Sequence, residues 1–233
     1  MTSPAEDTRF AVPWRAGDVV VGVFAAFAAV VVTFVFYSIL AGEPGMGVGL
    51  VVVGGIGGVI MLSAAWLLGP LRYNAPSGTL GLRPPAKPGL AQWALPVAAL
   101  AASLAFAAAY TGVVDLAGWD ALKPPDLPED IALGGPAVLV TYLLVVLWIP
   151  FTEEIFFRGY VFPGLAGACG VLPAGVITAV LFALAHGQPA VIAPIFFTGL
   201  VLAWLYHRTG SIWSSFAAHS LQNLLALSVS LAS

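Results

Sequence analysis

The chain has 233 residues, of which 60% are hydrophobic and only 8% charged, against roughly 25% charged in a typical soluble domain. Eight Lys and Arg against eleven Asp and Glu give a formal charge of −3. These charges are too sparse to form the basic stripe that phosphate neutralisation requires, so nucleic acid is excluded as a partner.

Arg9 and Arg15 precede an apolar run from about Val19 to Leu40, which is longer than the ~7 to 15 residues of a signal-peptide core and reads as a retained first helix. Apolar runs bounded by Pro, Gly and charged residues predict spans at 18–41, 48–69, 89–113, 136–157, 171–186, 190–207 and 212–231. The alternating segments of a membrane barrel are absent, and a backbone in lipid must satisfy its own hydrogen bonds. The expected fold class is therefore all-α, a polytopic transmembrane helix bundle of about seven spans. It forms one integral membrane domain, with N-terminal helices and loops in 1–135 and a core in 136–233.

The loop at 69–88 carries Arg72, Arg83 and Lys87, whereas the loop at 115–135 carries Lys123 against Asp115, Asp120, Asp126, Glu129 and Asp130. Positive-inside counting places the N-terminus and the first loop in the cytoplasm and the acidic loop outside, as a multi-pass protein of the plasma membrane. Trp14, Trp66, Trp93, Trp148 and Trp213 lie near span ends, where tryptophan anchors at the interface. The run Gly54-Gly55-Ile56-Gly57-Gly58 reads as a helix-packing surface. Pro96, Pro150 and Pro194 are expected to kink or break their helices. The single cysteine, Cys169, allows no intrachain disulfide and no thiolate cluster, so any metal site would use His and carboxylate.

The chemistry-bearing residues fall in the second half. Glu153, Glu154 and Arg158 follow Pro150 at the end of an apolar span, where each ionised group costs at least ~2.5 to 3.5 kcal/mol if it lies at the bilayer centre, and so must be paired or face water. Glu154 and Arg158 are four residues apart and share a helix face, so they can pair, while Glu153 points about 100° away. Glu153 is the acid left free, with Phe156 and Phe157 positioned to desolvate it and suit it to general-base work. Of the three histidines, His207 adjoins Arg208 at an apparent helix end and receives no role. Phe182 stands one turn before His186, and His219 one turn before Asn223. Three helices thus offer polar groups poorly suited to lipid, and one shared buried pocket would accommodate them all.

Glu153-Glu154-x-x-x-Arg158, Phe182-x-x-x-His186 and His219-x-x-x-Asn223, in that order, closely resemble the CAAX protease and bacteriocin-processing (CPBP, or Abi) family of intramembrane endopeptidases. Thr209-Gly210-Ser211-Ile212-Trp213 and Leu80-Gly81-Leu82-Arg83 are similar to that family too. The resemblance covers residues 136–226 well and the N-terminal half only in layout. It implies that 136–233 hold a catalytic core of CAAX prenyl protease type. In it Glu153 and His186 activate a water, His219 and Asn223 donate to the oxyanion, and Glu154 and Arg158 support the site, the resemblance leaving a catalytic part for Glu154 open. The residue chemistry agrees, since a carboxylate can take a proton from water and Asn and His can donate to developing negative charge.

The implied partners are the lipid bilayer and a membrane-associated protein or peptide substrate, prenylated or not, and no cofactor is required. The family has also been described as metalloproteases, so Glu153, Glu154, His186 and His219 are alternative zinc ligands, although no H-E-x-x-H run is present. Outside proteolysis, the same residues would suit a proton-coupled transporter or a non-catalytic membrane scaffold.

The expected span ends carry a difficulty. They put Glu153 and His186 toward opposite faces, as much as ~15 Å apart at ~1.5 Å per residue. Convergence then requires the stretch from Tyr160 to Val171 to dip into the bilayer, or strong helix tilt.

Overall fold

The computed structural model describes residues 10–42, 45–85, 89–125, 128 and 130–232. Seven main helices run along them: α1 (Ala16–Ala41), α2 (Met46–Leu71), α3 (Leu90–Ala117), α4 (Gly135–Cys169), α5 (Val171–Ala185), α6 (Pro189–Thr209) and α7 (Ile212–Ser230). Only short helical turns stand between them, and no strand occurs among the described residues. Five helices, α1, α2, most of α3, α4 and α6, are long and apolar enough to cross a membrane. The other two predicted spans fall short of that. α5 has 15 residues, about 22 Å at 1.5 Å each, and α7 interrupts its apolar character with Ser214, Ser215, His219, Ser220, Gln222 and Asn223. Large apolar side chains face outward along α1, with Phe24, Phe36 and Leu40 mostly exposed, as expected where lipid is the solvent.

Loops gather at two ends. At one end, the Ile212 amide donates to the Gly81 carbonyl at 3.1 Å, Arg83 Nε to the Gly210 carbonyl at 2.9 Å and Ser211 Oγ to the Arg83 carbonyl at 2.6 Å. This joins the α2–α3 loop to the α6–α7 turn. At the other end, the Met46 amide donates to Asp130 Oδ2 at 2.7 Å and Tyr110 to the Ala190 carbonyl at 3.2 Å. The basic loop and the acidic loop therefore lie at opposite ends of the helices. Lys87, Asp126 and Glu129, which entered the charge count, lie outside the described residues, as does Arg9.

α4 departs most from expectation. It does not stop near residue 157 but continues to Cys169, 35 residues in all, and is buried without a break from Glu154 to Gly164. Its neighbours close in through glycines: a Cβ on Gly58 of α2 would lie 2.4 Å from Trp148 Nε1, and one on Gly159 would lie 2.5 Å from the Leu80 carbonyl oxygen. The glycine run of α2 is thus a packing surface against α4, as its sequence suggests. Two of the tryptophans are not anchors. Trp14 is 2% exposed and donates to the Tyr160 carbonyl at 3.0 Å, and Trp148 Nε1 donates to the Gly55 carbonyl at 3.2 Å, because small residues on α4 and α2 open room for both indoles. Pro150 does not break α4, which meets it with wider π-type turns over Leu143–Trp148.

Candidate active site

A second π-type stretch, Glu154–Val161, carries Glu154 and Arg158. Such turns in α-helices are frequent at functional sites. Both side chains are fully buried, and Arg158 Nη1 donates to Glu154 Oε1 at 2.8 Å. Arg158 Nη2 also donates to the Gly199 carbonyl of α6 at 3.3 Å, and the guanidinium carbon lies 4.4 Å from the centre of the Phe182 ring. The expected division between the two acids holds in the geometry: Glu154 is consumed by a buried ion pair, and Glu153 stands outside it.

His219 joins the two acids. Its Nδ1 lies 3.0 Å from Glu154 Oε1, and its Nε2 faces Glu153 Oε2 at 3.7 Å. With Nδ1–H held by one carboxylate, Nε2 is aimed into the site beside the other. This is the arrangement by which an acid fixes the orientation of a histidine.

His186 reaches the same level because α4 overshoots. Gly170, at φ +86°, turns the chain from α4 into α5, and the two helices then pack antiparallel. A Cβ on Gly175 would lie 3.8 Å from Phe162, and the Phe157 and Phe182 ring centres are 5.3 Å apart. Glu153 stands four residues before Phe157 and His186 four residues after Phe182, so both lie on the same side of this ring contact. The stretch from Tyr160 to Cys169 continues α4 as helix and does not form a separate segment. His186 caps α5 on an exposed edge, with its Nδ1 2.9 Å from the Phe182 carbonyl. A carbonyl can only accept, so Nδ1 carries the proton and Nε2 presents a lone pair.

Asn223 lies one turn beyond His219 on α7, and its Nδ2 donates to the Val145 carbonyl of α4 at 2.9 Å. Contacts thus tie Glu153, Glu154, Arg158 and His219 together directly, His186 through Phe182, and Asn223 through the α4 backbone. Sequence reasoning missed the centrality of Phe182, whose ring centre lies 5.0 Å from that of His186 and 5.6 Å from that of His219. Its place one turn before His186 was the available signal. Nothing in α6 signalled that Gly199 would receive Arg158.

Zinc would need several of the proposed ligands to converge on one point. Among the described residues no three His, Cys, Asp or Glu side chains do so, and Glu154 Oε1 already accepts from Arg158 and His219. The arrangement as it stands does not fit a metal.

No solved structure matches this chain. A relative, the UPF0177 protein YxdF of Lactococcus lactis subsp. lactis (strain IL1403), is 30% identical over 90 residues, 38% of this chain and 49% of the relative, so the match spans about half the length of that protein. A family model described as type II CAAX prenyl endopeptidase Rce1-like matches residues 135–225, from the first turn of α4 to just past Asn223. The segment that builds this site is therefore similar to the Rce1-like family of type II CAAX prenyl endopeptidases.

Proposed function

We propose that this protein is an intramembrane endopeptidase that hydrolyses a peptide bond in a membrane-associated protein or peptide through a glutamate-activated water. The observation that carries this reading is the contrast between adjacent acids: Glu154 is locked to Arg158, while Glu153 makes no hydrogen bond or ion pair among the described residues shorter than its 3.7 Å approach to His219.

In this mechanism a water lies between the Glu153 carboxylate and the lone pair on His186 Nε2. Glu153 takes a proton as the water oxygen bonds to the substrate carbonyl carbon, and the carbonyl electron pair moves onto its oxygen. His219, acting as the imidazolium with Nδ1–H on Glu154, donates its Nε2–H to that oxyanion, and Asn223 Nδ2–H donates beside it. Its collapse restores the C=O bond and breaks the C–N bond, and Glu153 returns its proton to the departing amine. Glu154 holds His219, Arg158 holds Glu154 and the α6 backbone at Gly199, and neither reacts.

The matched family's description supports a prenylated CAAX substrate. An apolar groove of about 490 Å³, lined by Trp93, Val97, Val146, Ser220 and Leu224 among others, supports an apolar chain lying alongside. Val146, Ser220 and Leu224 are the sequence neighbours of Val145, His219 and Asn223, so the groove flanks the site. The basic-loop end, with the N-terminus, is assigned to the cytoplasm by the positive-inside rule.

The test is cleavage of a panel of quenched fluorescent peptides, prenylated and unmodified, by the purified protein and by Glu153→Gln, each with and without a strong chelator. Cleavage abolished in the folded variant and retained with chelator is expected. Equal cleavage by both proteins would refute the glutamate mechanism, and loss with chelator would require a metal. Uptake of a solute that depends on Glu153, with no peptide cleaved, would favour a carrier.

A further inference from the structure

Asn223 donates to a carbonyl that residue 150, being proline, cannot reach with an N–H. Through the π-type turns of Leu143–Trp148 the ladder steps back five residues, and the Ile149 amide donates to the Leu144 carbonyl. The next rung would run from the amide of residue 150 to the Val145 carbonyl, and proline has no N–H. A carbonyl inside the bilayer cannot turn to water, so it must find another donor. Asn223 Nδ2 supplies one at 2.9 Å. The two hydrogens of an amide NH2 lie in one plane, so fixing one on Val145 fixes the direction of the other.

We infer that Pro150 is a positioning residue. By withholding its N–H, it hands the Val145 carbonyl to Asn223 and thereby aims the second N–H of that amide toward the oxyanion. The inference rests on the protease reading above. Pro150 is buried and stands one turn before Glu153, and Asn223 one turn after His219. One missing backbone proton therefore ties the α4 half of the site to the α7 half. A donor held this way needs no reorganisation when charge develops.

The test restores the amide. Alanine is well tolerated inside helices, and Pro150→Ala gives residue 150 an N–H that competes for the Val145 carbonyl. Pro150→Ser serves as a second such variant if the first folds poorly. With a cleavable peptide, Pro150→Ala is expected to lower kcat by about ten- to a hundredfold, part of the ~10²–10³ that loss of one oxyanion donor costs, and to leave KM within about twofold. On the Asn223→Ala background it is expected to cost nothing further, because the group it positions is gone. A purely structural proline would give independent, multiplying losses, and that result would overturn the inference.

A second readout does not depend on cleavage. The chain has two asparagines, Asn74 and Asn223, so protein labelled with ¹⁵N-asparagine shows two side-chain amide pairs, and Asn223→Ala assigns them. Restoring the amide at 150 is expected to shift the Asn223 pair and speed its hydrogen exchange while leaving that of Asn74 in place. An unmoved Asn223 pair overturns the inference whatever the activity. A moved pair in a protein that cleaves no peptide keeps the hold of Pro150 on Asn223 and refutes its catalytic purpose along with the protease reading.

Discussion

Replacing Glu154 by alanine strands a charge. Arg158 is 0% exposed and its Nη1 loses the 2.8 Å partner, leaving the Gly199 carbonyl at 3.3 Å and the face of Phe182 at 4.4 Å. Its Nε already lacks a partner, so little remains to compensate the guanidinium. Breaking one side of a buried pair costs about 3–5 kcal/mol. At roughly 2–4 °C per kcal/mol for a chain of this size, the melting temperature should fall by about 6–20 °C. Arg158→Ala should fall comparably, since it leaves the Glu154 carboxylate buried.

Glu153→Gln removes only a 3.7 Å approach at a side chain 13% exposed, and should cost less than about 1 kcal/mol. Removing both charges together, as Glu154→Gln with Arg158→Met, should recover most of the loss, because no unpaired ion stays inside. The melts can be followed in detergent by tryptophan fluorescence, for which the chain supplies seven residues. Melting of Glu154→Ala, Arg158→Ala and Glu153→Gln within about 2 °C of one another, less than 1 kcal/mol at this size, would refute the division between a structural and a reacting acid.

Two further substitutions probe how α4 is seated. Gly159→Ala would drive a methyl to within 2.5 Å of the Leu80 carbonyl oxygen; overpacking of this kind costs about 1–3 kcal/mol, and a lowered melting temperature with faster proteolysis of the 77–85 loop is expected. An unchanged melt would show that the contact is loose. Trp14→Phe removes the 3.0 Å indole bond to the Tyr160 carbonyl, and leaving that buried oxygen unpaired should cost about 1–3 kcal/mol. A loss as large for Trp66→Phe, whose ring is 43% exposed, would refute the distinction between a buried indole and an interfacial one.

The positions of the helices were legible because lipid enforces long apolar runs, and Pro, Gly and charge punctuate them. The Glu154–Arg158 pair was legible because spacing of four residues on a helix is a local rule that survived even within π-type turns. The end of α4 was not. The charges at 153–158 read as a span end, yet Gly159 and Gly164 beyond them are places where Leu80 and Trp14 approach the helix too closely for a side chain. The same confusion sent Trp14 to the interface, since sequence shows that an indole is near a span end but not that a glycine one helix away leaves a slot for it. The link from Asn223 to Val145 was also hidden, because it depends on a backbone carbonyl whose freedom appears only once the π-type register before Pro150 is known.

The overlong α4 is what the proposed site requires. From Glu153 to Cys169 is 16 residues, about 24 Å of helix, and the 15 residues of α5 return about 22 Å before His186. A chain that ended α4 at residue 157, as its charges suggest, would bring His186 back too high to meet Glu153. The extra turns add no reacting group; they match the descent to the return. The length of α4 beyond Glu153 therefore sets how closely the carboxylate and imidazole of the proposed site agree in level along the helices, and the glycines that allow Leu80 and Trp14 to close over those turns are as much a condition of that site as the residues that line it.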